Sequence, residues 1–389
     1  MTRALKRTQR AWAYLSRVAE PPCAELAALV HRVGPVEAAE RVRCGQVDPD
    51  LARLTQARRG IDRSAEDLEL LDQRGGRLIT ADDDEWPTLA WTAFHGAALQ
   101  GKPQAKPPMV LWALGPARLD EITERAAAVV GTRAATAYGE QVAGDLAAGL
   151  AHRGVAVISG AAYGIDGAVH RAALAADGIT VAVLAGGLDI PYPAGHSALL
   201  HRIGSHGLLV SEYPPGVRPA RHRFLTRNRL VAALGGAAVV VEAGLRSGAA
   251  NTAAWARILG RVVAAVPGPV TSSASVGCHA LLRGGAELVT RVDDIVELVG
   301  RSGELAPEEP RPTTAFDGLS DTQRRVYEAL PGRGAATLDE IAIACALSPE
   351  QLLAPLAMLE VAGLAERRDG CWRIVRAGSQ RVAATARLV

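Results

Sequence analysis

The stretch 126–139, with the sequence AAAVVGTRAATAYG, decides the fold of the central part of this chain. Five consecutive apolar residues are typical of a strand buried on both faces, and Gly131 after them indicates a turn into a helix that begins near Tyr138. A strand that ends in glycine before a helix leaves backbone N–H groups free to hold an anion, and Arg133 adds a forked, charged donor there. The stretch predicts a phosphate site, although a plain turn with Arg133 facing water fits the spacing equally well.

Short apolar runs like the one at 126–130 recur five times further along the chain. Each of these short runs is continuously apolar, and turns with glycine or helical stretches separate them. Such runs predict an α/β fold whose doubly wound parallel sheet is buried between helices. The runs are 155–158, 180–184, 207–210, 237–241 and 261–266.

A second turn from strand to helix follows the run that ends at residue 158. It offers the hydroxyl of Ser159 and the glycines Gly160 and Gly164. Two such turns at the carboxyl ends of neighbouring strands would line one crevice, which is where open parallel sheets bind ligands. Neither turn matches G-x-G-x-x-G, so no dinucleotide cofactor is indicated. Asp166 is expected to cap the following helix rather than to act as an acid or base.

A cluster of arginines lies between the fourth and fifth predicted strands. Residues 218–229 contain five arginines, and no acidic residue occurs between Glu212 and Glu242. A concentrated positive patch of this kind indicates a polyanionic partner. Phe224 lies within the cluster; it could stack on an unpaired base, at about 1–3 kcal/mol per base, or anchor the helix 226–234.

The stretch 242–252 follows the fifth predicted strand and opens another helix. Ser247, Gly248 and Thr252 place hydroxyl groups and backbone donors at that helix start, which predicts a further phosphate contact. Glu242 stays open as a catalytic carboxylate. No nucleophile motif of the G-x-S-x-G type is present in the sequence.

Composition divides the chain into domains and excludes several classes. A charge of +2 over 389 residues excludes a wholly basic nucleic-acid coat. The five cysteines form no C-x-x-C pair, which argues against disulfides and zinc and favours a reducing cytoplasm. The cleanest apolar run, 230–241, is too short to span a membrane. We expect a helical domain (1–75), an irregular connector or arm (76–118), the sheet domain (119–300), a linker (301–315), a winged helix (316–376) and a tail (377–389).

The predicted winged helix has an unusual charge for its class. Such domains often read duplex DNA through their third helix. Residues 334–366 contain no Lys or Arg and five acidic side chains, a surface that should repel phosphate. We therefore expect this domain to contact protein, with its own dimer mate as one candidate, and not to enter a major groove.

Ordered motifs across the sheet domain resemble the DprA family of DNA-processing proteins, also called Smf. The resemblance implies an extended Rossmann-like fold that binds single-stranded DNA, forms a homodimer and hands the strand to the recombinase RecA in natural transformation, without catalysis or cofactor. It extends weakly to the N-terminal helices, which are similar to the family's SAM-like domain, and to the winged helix. The motifs are V-G-T-R (130–133), S-G-x-x-x-G-I-D-x-x-x-H (159–170), G-L-D-x-x-Y-P (187–193), S-E-Y-P-P-G (211–216), F-x-x-R-N-R (224–229) and V-E-A with R-S-G (241–248).

The family motifs place Arg133, Phe224, Arg227, Asn228 and Arg229 at the DNA pocket, and Arg221 joins them on charge alone. The chain departs from the usual pattern where Tyr163 replaces a common arginine, where His196 and His279 replace asparagines, and where Ala249-Ala250 replaces a commoner Ser-Leu pair. With the turn residues added, the predicted single-stranded DNA contacts are Gly131, Thr132, Arg133, Ser159, Gly160, Gly164, Arg221, Phe224, Arg227, Asn228, Arg229, Ser247, Gly248 and Thr252.

Two other functions compete with a single-strand binder. The same superfold resembles nucleotide phosphoribohydrolases, but that family carries P-G-G-x-G-T-x-x-E near the fifth strand, where this chain has VEAGLRSG at 241–248. A ligand-responsive transcription factor is less favoured because of the acidic winged helix. The leading interpretation is a non-enzymatic protein that protects single strands and loads RecA, and the nucleotide-processing enzyme is the alternative.

Overall fold

A large sheet organises the first of two compact units, Met1–Pro307 and Glu308–Val389, in the computed structural model. The structure describes residues 3–96, 102–300, 303–306 and 316–375. The strands of the sheet are β1 (Gly76–Thr80), β2 (Val110–Leu114), β3 (Ala126–Val130), β4 (Ala156–Ser159), β5 (Thr180–Leu184), β6 (Leu208–Ser211), β7 (Ala237–Val240), β8 (Val262–Ala265) and β9 (Glu287–Leu288).

The strand order is β1-β2-β6-β5-β4-β3-β7-β8-β9. Strands β3 to β9 run parallel, whereas β2 is antiparallel to both β1 and β6. The order reverses at β3, which pairs with β4 on one side and with β7 on the other. This topology confirms the predicted doubly wound sheet. A reversal of this kind creates a crevice outside the carboxyl ends of the strands, where ligands bind in such folds.

The six predicted apolar runs are confirmed as β3 to β8, with boundaries shifted by one residue at most. All five residues of β3 and of β5 are buried, because helices cover both faces of the sheet. These helices are α6 (Thr88–Trp91), α7 (Leu119–Glu124), α8 (Ala137–His152), α9 (Ile165–Ala175), α10 (Ser197–His206), α11 (Arg221–Leu234), α12 (Gly248–Ile258), α13 (Val276–Arg283) and α14 (Val292–Val299), with 3₁₀ turns at Thr92–His95 and Ala194–His196.

Alternate side chains of β3 point to opposite faces of the sheet. Ala128 and Val130 pack in a core with Leu230 of α11, whereas Val129 packs on the other face with Leu146 of α8. This alternation is the ordinary consequence of the strand repeat. It places α11 and α12 on one side of the carboxyl edge, and α8 and α9 on the other.

The segment 76–118 departs from the prediction. It contains β1 and β2, so the irregular connector predicted there is wrong for these two stretches. The pair is antiparallel from Gly76 opposite Leu114 to Thr80 opposite Val110, and Trp112 is fully buried. The prediction missed both strands because the sequence between them is rich in Pro and Gly. Residues 97–101 of that sequence lie outside the described residues.

Five helices precede the sheet, and Gly34 and Pro35 separate two of them as predicted. Gly34 has a φ of +77° beyond the end of one helix, and Pro35 is the first residue of the next. The sequence predicted a separate domain here, but Leu15 and Leu26 share one core with Trp112 and Leu200 of the sheet unit. The likeness to a SAM domain stays a prediction. The helices are α1 (Arg3–Val18), α2 (Ala24–Val33), α3 (Pro35–Cys44), α4 (Pro49–Thr55) and α5 (Ser64–Gln73).

The second unit consists of three helices and a hairpin, in the order that the sequence predicted. Ser320 and Gln323 form the expected capping box, and the hairpin turns at Asp369 and Gly370, which both have positive φ. The predicted tail 377–389 and most of the predicted linker lie outside the described residues. The elements are α15 (Asp321–Ala329), α16 (Leu338–Cys345), α17 (Pro349–Val361), β10 (Ala365–Arg368) and β11 (Cys371–Ile374).

Among the described residues no single helix is long and apolar enough to cross a membrane. The helices α16 and α17 reach that length and apolar composition only when they are taken together, and they are bent by 101° relative to one another. The same residues contain no group of three or more His, Cys, Asp or Glu side chains placed to hold a metal ion. All five cysteines are free thiols.

Candidate functional site

A cavity of about 710 Å³ opens at the carboxyl edge of the sheet, where the strand order reverses. The turns after β3 and β4 form its floor, and the first turns of α11 and α12 form its walls. Most of the predicted contact residues therefore meet in one place. Those that line the cavity are Gly131, Thr132, Arg133, Gly160, Arg221, Phe224, Arg227, Asn228, Ser247, Gly248 and Thr252.

Arg227 is a buried cation in the wall of this cavity. It is 5% exposed, and its Nη1 donates to the backbone oxygens of Gly160, at 2.8 Å, and Val183. Its buried Nε has no hydrogen-bond partner among the described residues. Burial lowers the pKa of Arg227 to about 10, with Asp166 opposing that shift, so the side chain stays charged at neutral pH. A buried charge is costly unless it is paired, so this geometry favours an anion in the cavity.

Asp166 holds the turn between β4 and α9. Its Oδ2 accepts hydrogen bonds from the backbone N–H groups of Gly160 and Ala162, at 3.2 and 3.3 Å. Burial raises its pKa, while the Arg227 charge and these backbone donors act in the opposite direction. The sequence predicted a cap on α9, but the residue before that helix is Gly164, and Asp166 bonds backward to the loop instead. It shapes the floor of the cavity and partly balances Arg227.

Three predicted contact residues lie outside the cavity lining. Ser159 is fully buried, and its hydroxyl donates to the Val129 carbonyl at 2.7 Å. Gly164 packs on the turn after β3, where a Cβ would lie 2.3 Å from the carbonyl oxygen of Thr132. Arg229 is fully buried and pairs with Glu212 through both terminal nitrogens, at 2.7 and 2.8 Å. The side chains of Ser159 and Arg229 are thus bonded in the interior and turned away from the cavity, whereas the contact predicted for the half-buried Gly164 stays a prediction.

The arginines of 218–229 therefore do not form one positive patch. Arg223 donates to both carboxylate oxygens of Glu20, at 2.6 and 3.0 Å, and Arg229 is paired with Glu212. Only Arg221 and Arg227 of the α11 arginines line the cavity. A count of acidic residues along the chain misses this pairing, because the fold brings Glu20 from the loop after α1 to the start of α11.

An aromatic side chain adjoins the arginines at the rim. The Phe224 ring lies 5.4 Å from the Arg133 guanidinium carbon and 5.3 Å from the Tyr192 ring centre. Arg133 itself is exposed. Asn228, one turn further into α11, donates to the Gly248 carbonyl at 3.3 Å and to the Asn251 side chain at 3.1 Å. Asn228 thus ties α11 to α12, and the rim presents a ring and an exposed cation side by side.

The start of α12 supplies the opposite wall. Ser247 is its N-cap, and its hydroxyl oxygen accepts from the backbone N–H of Ala250 at 3.2 Å. The Thr252 hydroxyl donates to the Gly248 carbonyl at 3.3 Å. The Thr252 hydroxyl, which was predicted to contact a phosphate, therefore donates its hydrogen bond within α12 instead. The first N–H groups of α12 have no intrahelical acceptor, as at any helix start, and can serve an anion.

Glu242 does not face the cavity. It is 1% exposed, and its two carboxylate oxygens accept from the Thr136 backbone N–H at 2.9 Å and from the Thr136 hydroxyl at 2.6 Å. The same Thr136 is the N-cap of α8. The carboxylate anchors the turn after β3 to β7, and this position removes it from the catalytic role that the sequence left open.

The cavity lining includes residues that the sequence did not single out as contacts, and Tyr192 and Arg246 are the two with a ring or a charge to offer a strand. Both lie inside family motifs, G-L-D-x-x-Y-P and R-S-G, so the signal was present in the sequence. The histidines that depart from the family pattern form hydrogen bonds to backbone carbonyls. His196 Nδ1 lies 3.1 Å from the Ala161 carbonyl, and His279 Nε2 lies 3.0 Å from the Gly268 carbonyl. The Tyr163 hydroxyl accepts from the Gly195 N–H at 3.3 Å.

Comparison with known proteins gives consistent matches. Residues 77–300 match the sequence model of a family described as DNA recombination-mediator protein A, and residues 307–370 match the DprA winged helix domain. A putative DNA processing protein DprA of Mycobacterium tuberculosis is 76% identical over 385 residues, which cover 98% of this chain and 99% of the relative. Protein Smf of Escherichia coli is 36% identical over 75% of this chain and 76% of its own length. An X-ray structure of DprA from Streptococcus pneumoniae superposes with a TM-score of 0.60 and 29% identity, covering 75% of this chain and 96% of that one.

Proposed function

This chain belongs to the DprA family, DNA recombination-mediator protein A, and on that premise we propose that it binds single-stranded DNA in the cavity at the carboxyl edge of the sheet. The observation that carries the proposal is the set of four arginines that line this cavity against one carboxylate, Asp166: Arg133, Arg221, Arg227 and Arg246. The sugar-phosphate backbone of a strand would supply the anions that balance this charge.

The mechanism is a clamp on the backbone of the strand. Arg227 and the turn amides hold one phosphate in the cavity, while Arg133, Arg221 and Arg246 lie at the rim and neutralise its neighbours. The Phe224 ring stands beside Arg133 and is placed to contact a base. Arg227 is 5% exposed, so a phosphate must come down into the cavity to reach it, and a flexible single strand can bend to do so more readily than a stiff duplex.

The proposed biological role follows the family. The bound strand is protected and handed to the recombinase RecA, in natural transformation or in recombination more generally, and the protein acts as a homodimer. The name of the family model, a recombination mediator, supports this role.

The nucleotide-processing alternative needs a catalytic carboxylate beside the cavity. Glu242 was its candidate, and both of its oxygens are occupied by Thr136. Asp166 lines the cavity but is engaged with the backbone of its own turn. Nothing in the arrangement of the described residues favours hydrolysis over binding, so binding is the function the geometry supports best.

A titration of the full chain tests the proposal. The protein is mixed with a labelled oligothymidine and, separately, with a duplex of the same length at two salt concentrations. We expect tighter binding of the single strand at both concentrations, and log affinity should fall against log salt by about 0.7 for each phosphate that is neutralised. Equal affinity for both oligonucleotides, or no binding of either, would contradict the proposal.

A further inference from the structure

Tyr192 has a place at the cavity that the phosphate clamp does not use. Its side chain lines the cavity and is 45% exposed, in the loop between β5 and α10. The ring lies 5.3 Å from that of Phe224, centre to centre, at an angle of 48°. The two rings therefore form one continuous aromatic surface at the rim.

The loop that carries Tyr192 is fixed before any ligand arrives. The N–H of Gly187 donates to the Val217 carbonyl at 2.8 Å, and the N–H of Gly216 donates to the Asp189 carboxylate, also at 2.8 Å. A Cβ on Gly187 would lie 2.7 Å from the Pro214 carbonyl oxygen, which shows how closely the two loops approach. A ring held in this way loses little freedom on binding, and that preorganisation favours affinity.

Phe224 is less available than Tyr192 as a platform. Its side chain is only partly exposed, and its ring already contacts the Arg133 guanidinium at 5.4 Å as well as the Tyr192 ring. Tyr192 is the outer member of this row and presents nearly half of its surface. Aromatic faces of this kind bind bases by stacking, with little preference for sequence, since every base has a π-face.

We propose that Tyr192 is a base-binding subsite, in which the phenol ring stacks on one unpaired nucleobase of a strand whose phosphate is held by Arg133 and Arg227. The inference rests on the proposed function, because it assigns a ligand to the rim of the same cavity. It adds a second aromatic contact to the bases, beside the one that Phe224 is placed to make.

The chain offers a matched control in Tyr163. This residue is 48% exposed and lies in the turn after β4, so it resembles Tyr192 in type and exposure. It does not line the cavity, and its ring packs against His196 at 4.8 Å. The same substitution at both positions therefore separates stacking on a base from removal of a surface ring.

The experiment compares two oligonucleotides of equal length, oligothymidine and a fully abasic strand, with the full-length chain. We expect Tyr192→Leu to weaken binding of oligothymidine about 10-fold, as the removal of one stacked base implies, and to leave binding of the abasic strand unchanged. Tyr163→Leu should change neither. Tyr192→Trp, which keeps an aromatic face, should bind oligothymidine at least as tightly as the wild type and serves if Tyr192→Leu does not fold.

Each result supports or overturns a defined statement. The subsite is overturned if Tyr192→Leu binds oligothymidine as the wild type does, if it weakens both strands by the same factor, or if Tyr192→Trp weakens oligothymidine binding. Equal binding of the two strands by the wild type also overturns it and leaves the backbone clamp intact. Failure of the wild type to bind either strand contradicts the proposed function itself.

Discussion

The sheet-edge cavity and the winged-helix unit both belong to architectures that commonly bind nucleic acids, and their charges are opposite. Four arginines line the cavity, against one carboxylate, Asp166. Residues 334–366 of the winged helix contain five acidic residues and no Lys or Arg. Its third helix, α17, exposes Leu353, Met358 and Val361 at 58%, 55% and 86%.

The difference shows that fold class alone does not locate a nucleic-acid site. What distinguishes the cavity is its excess of positive charge, since Arg133, Arg221, Arg227 and Arg246 line it with only one carboxylate, Asp166. The α17 surface has the opposite character, acidic and apolar, and would repel phosphate. We propose that α17 contacts protein and that DNA binds to the sheet unit.

The largest effect is expected from the buried cation. Arg227→Met should weaken binding of single-stranded DNA at least about 100-fold, because it removes charge-assisted hydrogen bonds worth about 1.5–3 kcal/mol each. Fluorescence anisotropy with a labelled oligothymidine measures the decrease, and circular dichroism verifies the fold. Arg227→Lys keeps the charge without the fork and should retain part of the affinity. A folded Arg227→Met protein that binds within about threefold of the wild type would place the strand elsewhere.

A smaller decrease is expected at the exposed rim. Arg133→Ala should weaken binding about 10-fold and flatten the salt dependence by about 0.7, as expected when one fewer phosphate is neutralised. Arg202→Ala is the matched control, since Arg202 is an exposed arginine of α10 that does not line the cavity. Equal slopes for Arg133→Ala and the wild type would show that this arginine does not contact the backbone of the strand.

The ion pair between Arg223 and Glu20 provides a test through pH. Burial raises the pKa of Glu20, but hydrogen bonds from Arg223 and Arg58 outweigh it and lower the pKa to about 2. A carboxylate with a lowered pKa stabilises the fold above its unfolded pKa, and this contribution disappears as the pH falls toward 2. Glu20→Gln should therefore cost about 1 kcal/mol at pH 7 and progressively less below pH ~4.5.

Chemical denaturation at several pH values measures this difference in the free energy of unfolding. Glu37→Gln is the control, because Glu37 pairs with Arg41 on the exposed surface of α3. That pair should contribute less than about 0.5 kcal/mol. A constant difference between wild type and Glu20→Gln from pH 7 to pH 2 would show that the carboxylate is not what links the loop after α1 to α11.

The smallest effect is expected in the winged helix. Glu350→Gln combined with Glu360→Gln removes two negative charges from α17 and should change single-strand affinity less than about twofold, since the proposed clamp makes no phosphate contact on α17 and exposed charges are screened by salt. Anisotropy at moderate salt measures this. An increase of about tenfold or more would mean that the strand passes along α17, and the contrast between the two regions would fail.

Local sequence patterns predicted what depends on local sequence. The strands β3 to β8 and the turns at their carboxyl ends follow from continuous apolar runs and glycines, and these place the cavity. The wing and its turn at Asp369 and Gly370 follow in the same way. The edge strand β1 and its neighbour β2 were missed, because irregular sequence surrounds them and their pairing is set by the rest of the sheet.

The roles of individual charges depend on contacts between distant residues. Arg223 and Glu20 are 203 positions apart, and no spacing rule joins them. Arg227 and Arg229 look equivalent in the motif, yet the helix turns one toward the cavity and the other toward Glu212 in the core. Side-chain direction on α11, rather than residue type, decides which arginine can reach DNA.

The most direct test of the phosphate clamp is a crystal structure of the full chain with a short oligothymidine. We predict a phosphate oxygen within hydrogen-bonding distance of the Arg227 guanidinium, with the neighbouring phosphates beside Arg133 and Arg221. A strand that leaves this cavity empty and follows another surface, such as α17, would contradict the clamp.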